Sequence, residues 1–71
     1  MQPITLKEAR TRRGWTQEEL EAVSGVSQPV ISKIERGDVA DPAFSTIVRL
    51  AKALRMDPRD LKVGAHSESV A

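Results

Sequence analysis

The stretch Thr16-Gln-Glu-Glu-Leu-Glu-Ala-Val-Ser-Gly-Val-Ser-Gln-Pro-Val-Ile-Ser-Lys-Ile-Glu-Arg-Gly37 decides the fold. Leu20 and Val23 recur at helical spacing before Gly25, and Val30, Ile31 and Ile34 do so before Gly37, which predicts two short amphipathic helices. Each opens on a hydroxyl suited to an N-cap, Thr16 and Ser27, and Glu19 completes a capping box with Thr16. Gly25 supplies the left-handed residue that lets one helix turn sharply into the next. The second helix is expected to hold Val30, Ile31 and Ile34 inward and to carry Gln28, Ser32 and Lys33 outward, an amide, a hydroxyl and an ammonium of the kinds that read base edges in a major groove.

Outward from this helix-turn-helix, spacings of three and four continue and no strand-like alternation is found. A first helix is capped by Thr5, with Glu8 as its capping-box partner; it buries Leu6 and Ala9 and stops at Gly14. Trp15 is expected to cover one side of the core. After a loop over residues 38–43, a fourth helix carries Phe44, Ile47, Val48, Leu50, Ala51 and Leu54. Asp57 and Pro58 then open a short fifth helix, with aspartate as cap and proline at the first helical position, anchored by Leu61. The expected fold class is all-α, a compact five-helix bundle over residues 1–63 with a flexible tail over 64–71.

Seventy-one residues allow one domain and one small core. The lack of cysteine excludes disulfides and thiolate metal sites and fits a reducing cytoplasm, the expected location. No stretch approaches the roughly 18 apolar residues of a membrane span, and the N-terminus lacks the apolar core of a signal peptide. Net charge is only +1, so distribution matters more than sum. Arg10, Arg12, Arg13, Lys33 and Arg36 fall in the first half, and Asp38, Asp41, Asp57 and Asp60 in the second. A basic face opposite an acidic back and an evenly solvated surface both fit that pattern. His66 stands without a second ligand, so no metal is expected; no cofactor is expected either. No serine or carboxylate pair comes with a histidine base or a phosphate loop, so no catalytic residues are assigned and the chain does not read as an enzyme.

Four segments, Trp15-Thr-Gln-Glu-Glu-Leu20, Gly25-Val-Ser-Gln28, Ile31-Ser-Lys-Ile-Glu-Arg-Gly37 and Ile47-Val-Arg-Leu-Ala-Lys-Ala-Leu54, stand in the order and at the spacings of the lambda-type Cro/cI repressors, the XRE-like helix-turn-helix regulators. The chain resembles that family over about residues 4–62. The resemblance implies a lambda repressor-like bundle that binds double-stranded DNA as a homodimer on a palindromic operator and regulates transcription, most simply by repression. It places Gln28 against an adenine edge and Gln17 on a phosphate, bracing Gln28. Ser32 and Lys33 join the base-reading set, Lys33 reaching a guanine or a nearby phosphate. Arg36 looks like a phosphate clamp. Thr16 and Ser27, at the starts of the second and third helices, add sequence-independent grip. Arg10 is expected to pair with Glu35 and tie the first helix to the third.

Pro29 departs from the family's usual polar residue, either touching a thymine methyl or only stiffening the first turn. Glu21 replaces the alanine that lets the second and third helices close on each other. Ala43 replaces a capping residue, Arg55 replaces a glycine, and Asp38 and Asp41 make acidic a loop that is often basic. A two-fold contact built on Met56, Leu61 and Val63 would bring two half-sites together, unless Leu61 is committed to its own core. Two other readings share the fold: the antitoxin of a toxin-antitoxin operon, with a toxin as partner, and a protein-interaction module. The polar surface of Gln17, Gln28 and Lys33 argues against the second.

Overall fold

A computed structural model describes residues 4–39 and 42–62. In chain order these form β1 (Ile4–Thr5), α1 (Leu6–Arg12), α2 (Gln17–Ser24), α3 (Gln28–Arg36), α4 (Phe44–Ala53), a single 3-10 turn (Pro58–Asp60) and β2 (Leu61–Lys62). Each helix sends one large side chain to the centre: Leu6, Leu20, Ile31 and Leu50 are all fully buried. Ala9, Val26, Ile34, Ala51, Leu54 and Leu61 complete the buried cluster, and Trp15, Ile47 and Met56 pack partly against it. Burial of each large aliphatic contributes about 1.5–3 kcal/mol, enough for a few such residues to hold a small domain together.

The bundle has four α-helices among the described residues, not five. Asp57 does cap the last segment, accepting a 2.8 Å hydrogen bond from the Arg59 amide, and Pro58 takes the first position. After one turn, however, Leu61 adopts extended geometry at φ −97° and ψ 115°. It pairs in parallel with Ile4, and Lys62 with Thr5. The side chain of Leu61 enters the core at 4% exposure. Continuing the helix would give up that burial, and the partner strand lies at the other end of the chain. Two-residue strands carry no alternation, so no periodicity announces them.

Among the described residues, three large apolar side chains are exposed. Val23 is 53% exposed, Val30 38% and Phe44 74%, whereas Val23 and Val30 read as inward from spacing alone. Leu20 is the one buried side chain of α2, and Ile31 and Ile34 fill the inward stripe of α3. Phe44 is the first residue of α4, where a side chain leans back past the helix end and finds no neighbouring turn to cover it.

The helix ends differ in how they are closed. Thr16 Oγ1 accepts from the Glu19 amide at 3.1 Å while Glu19 Oε1 accepts from the Thr16 amide at 2.7 Å, so the capping box is complete. Thr5 Oγ1 accepts from the Glu8 amide at 3.1 Å; the Thr5 backbone instead takes part in the strand pairing. Ser27 caps α3 by position only and makes no side-chain cap bond. Pro29 sits at the second helical position and has no N–H to offer it. Gly25 turns the chain from α2 to α3 at φ +79°, the left-handed region that a side chain disfavours. Beside that corner Glu21 is exposed, so its charge points to solvent, while Val26 of the turn is buried in the core. Ala43 gives α4 no side-chain cap, and Arg55, just past its end, is held at φ +57°. The Arg13 guanidinium compensates, donating a 2.7 Å hydrogen bond to the Leu54 carbonyl. No helix among the described residues is long and apolar enough to cross a membrane. The tail over 64–71, with His66, lies outside the described residues.

Candidate nucleic-acid interface

Burial of Ile31 and Ile34 fixes the rotation of α3 and turns Pro29, Lys33 and Arg36 to the opposite side, all exposed, with Ser32 half-buried beside them. Val30, on the flank, adds an apolar contact that spacing alone assigned to the core. Beside Pro29 it gives the outward face two groups able to meet a thymine methyl.

Behind this face lies a hydrogen-bonded chain. Arg10, from α1, donates from Nε to Glu35 Oε2 at 2.7 Å and from Nη2 to Glu35 Oε1 at 3.1 Å. Its Nη1 donates to the Trp15 carbonyl at 2.7 Å, so one guanidinium holds α1, α3 and the loop leading into α2. The two side chains are 11% and 5% exposed. Glu35 Oε1 also accepts from Gln17 Nε2 at 3.0 Å, and Gln17 Oε1 accepts from Gln28 Nε2. Burial pushes the Glu35 carboxyl up, but the hydrogen bonds from Arg10 and Gln17 and the charges of Arg10 and Lys7 outweigh it, leaving it below the ordinary 4.5. The bond to Glu35 raises Arg10 against a smaller opposing effect of burial. No buried side-chain polar atom among the described residues lacks a partner.

At the far end of α3 the arrangement is looser. Arg36 donates from Nε to Asp38 Oδ2 at 3.0 Å and from Nη1 to Ser32 Oγ at 3.1 Å. The ion pair is 60% and 55% exposed, so solvent screens it and either partner can exchange for another ion. Lys33 makes no ion pair among the described residues. The hydroxyl of Ser27 is left over by the helix, whereas that of Thr16 is engaged as an acceptor.

Of the residues singled out from sequence, Arg10, Gln17, Gln28 and Glu35 come together in one network, and Ser32 and Arg36 in another. Met56 and Leu61 lie elsewhere: Leu61 belongs to the monomer's own core and cannot supply a free contact surface, Met56 is partly buried against it, and Val63 lies outside the described residues. Sequence reasoning missed the Gln17–Glu35 bond and the Asp38 carboxylate on Arg36. Gln17 and Glu35 are eighteen residues apart on different helices, beyond any local pattern. The Asp38 contact is two residues from Arg36 and was within reach of a charge-pairing argument. No group of three or more His, Cys, Asp or Glu that could hold a metal ion occurs among the described residues.

The helix-turn-helix family model matches residues 6–61. Protein P2 of Acyrthosiphon pisum secondary endosymbiont phage 1 is 46% identical over 50 residues, covering 70% of this chain and 53% of that protein. The uncharacterized HTH-type transcriptional regulator y4dJ of Sinorhizobium fredii is 49% identical over 45 residues, covering 63% of this chain and 57% of its own. The chain thus spans little more than half the length of these curated relatives. Among solved structures, the restriction-modification controller protein C.AhdI from Aeromonas hydrophila matches with a TM-score of 0.72 at 36% identity, over 78% of this chain and 82% of that one.

Proposed function

Because the chain belongs to the helix-turn-helix family of the lambda-type Cro/cI, XRE-like kind, we infer that it is a sequence-specific DNA-binding regulator of transcription that seats α3 in the major groove. The observation that carries this is the outward face of α3, where Gln28 is held from behind by Gln17 and Pro29, Val30, Ser32 and Lys33 stand toward solvent or on its flank. A glutamine amide gives and takes a hydrogen bond at once, which matches adenine N6 and N7. Gln17, Ser27, Thr16 and Arg36 surround that face as phosphate contacts, Arg36 exchanging Asp38 for a phosphate oxygen. The likeness to a controller protein and to a regulator of the same type supports control of a promoter by occupancy of a palindromic operator, with repression as the simplest outcome.

One domain of this size covers about half an operator, so two copies set roughly 34 Å apart are required for specific affinity. With Leu61 in the core, partly buried Met56 and exposed Phe44 are candidates among the described residues for a two-fold contact, and Val63, named from the sequence, lies outside the described residues.

Selection of bound duplexes from a random DNA pool tests the reading. A two-fold symmetric consensus with half-sites about one helical turn apart is the expected result. Arg36→Ala should then lower affinity on all duplexes alike and reduce the salt slope by about one unit. Flat binding to every duplex would overturn the function.

A further inference from the structure

The hydrogen bonds behind α3 have a direction that only one of their members can impose. An ionised carboxylate accepts and never donates, so Gln17 must turn its NH2 group to Glu35 Oε1. Its carbonyl oxygen is thereby left facing α3. Gln28 must answer with its own NH2 group, as it does. One N–H and the carbonyl oxygen of Gln28 then remain for a ligand, in a fixed order along the groove.

We propose that Glu35, acting through Gln17, is a specificity-determining positioning residue: it sets which way round the Gln28 amide meets a base pair. This rests on the reading of Gln28 as a base contact. Without the carboxylate, both amides could turn over together, keep their mutual hydrogen bond, and present acceptor and donor in reverse order. Arg10 keeps the carboxylate ionised and in place, and its bidentate grip leaves Oε1 shared with Gln17. The Arg10–Glu35 pair therefore does more than join α1 to α3: it gives the reading amide its polarity.

The test uses a duplex selected from a random pool by the parent protein, together with all single-base-pair variants of one half-site. Gln28→Ala first identifies the base pair at which discrimination is lost. At that pair the parent should discriminate by roughly fivefold to a hundredfold. Glu35→Leu removes the acceptor at Oε1 that orients the Gln17 amide and allows the reversed order, so discrimination there should fall to within about threefold of none, or move to another base, while other positions keep theirs. Gln17→Met leaves the Arg10–Glu35 pair intact, guards against a folding failure of the first variant, and should give the same local loss. The phosphate contact assigned to Gln17 adds a loss shared by all duplexes, so the ratios are the readout: a uniform loss with unchanged ratios would leave Gln17 a phosphate contact alone. If Gln28→Ala abolishes discrimination at one pair while Gln17→Met and every folded Glu35 variant keep the parent's ratios, Glu35 does not set polarity. If Gln28→Ala changes no ratio, the base-reading role of Gln28 fails, and this inference with it.

Discussion

The α2–α3 unit and α4 are built on different terms. In the first, ends and interior are specified side chain by side chain: a reciprocal capping box at Thr16, a left-handed glycine at 25, and a four-membered polar chain from Arg10 to Gln28. In the second, Ala43 offers no cap, Arg55 occupies a left-handed position without being glycine, and Phe44 lies in solvent. What holds α4 is its buried face, Leu50 and Ala51 at 0% exposure and Leu54 at 4%. A reading surface needs its side chains in one arrangement; a supporting helix needs only to be packed.

The sharpest way to break this contrast is at the core of α4. Leu50→Ala should cost about 2–5 kcal/mol, because it removes transfer energy and leaves a cavity; chemical denaturation would read it, and a loss under 1 kcal/mol would mean that α4 is held by something other than packing. Arg10→Met should cost about 3 kcal/mol at pH 7, since it strands the Glu35 carboxylate in a nearly enclosed site. The pH dependence has a definite sign. Glu35 titrates lower when folded than its ordinary 4.5, so its contribution is present above that pH and is lost as pH falls through the folded value. The gap between parent and variant should therefore close below pH 4.5; a constant gap in acid would show that the pair is not the origin of the loss.

Smaller effects separate the helix ends. Thr16→Ala should destabilise by about 1 kcal/mol, through loss of the bond that Thr16 Oγ1 accepts from the Glu19 amide. Ala43→Ser should do the reverse by about 0.5 kcal/mol or slightly more, supplying a cap where none exists. If both changes lower the melting temperature, the two helix starts are not the contrast described. Least of all, Arg55→Gly should stabilise by up to about 1 kcal/mol, relief of the left-handed backbone offset by the greater freedom of glycine in the unfolded chain; a fall in melting temperature would assign Arg55 a contact that outweighs its strain.

Local devices were legible in the sequence because their causes are local. Thr16 with Glu19, Gly25, and Asp57 with Pro58 each act within a turn or so of the backbone and read correctly as punctuation. Placement of apolar side chains was less legible. Val23 and Val30 have helical spacing, but the core, ten buried side chains among the described residues, fills before it reaches them. The last helix was overextended because Leu61 answers to Ile4 at the opposite end of the chain. At the interface, the identities of Gln17, Gln28, Arg10 and Glu35 could be carried over from the family pattern, whereas the bond joining Gln17 to Glu35 required the relative placement of α2 and α3.

The pairing of Ile4–Thr5 with Leu61–Lys62 also bears on the order in which the chain folds. Helices form from neighbours, but this clasp closes a loop spanning nearly all the described residues, and the chain entropy of closure must be lost before the contact contributes anything. On that ground the clasp is expected to be the last contact made and the first released. Weakening it, as with Ile4→Ala, should speed unfolding while leaving the refolding rate nearly untouched; equal changes in both arms of a chevron plot would place it in the folding nucleus instead.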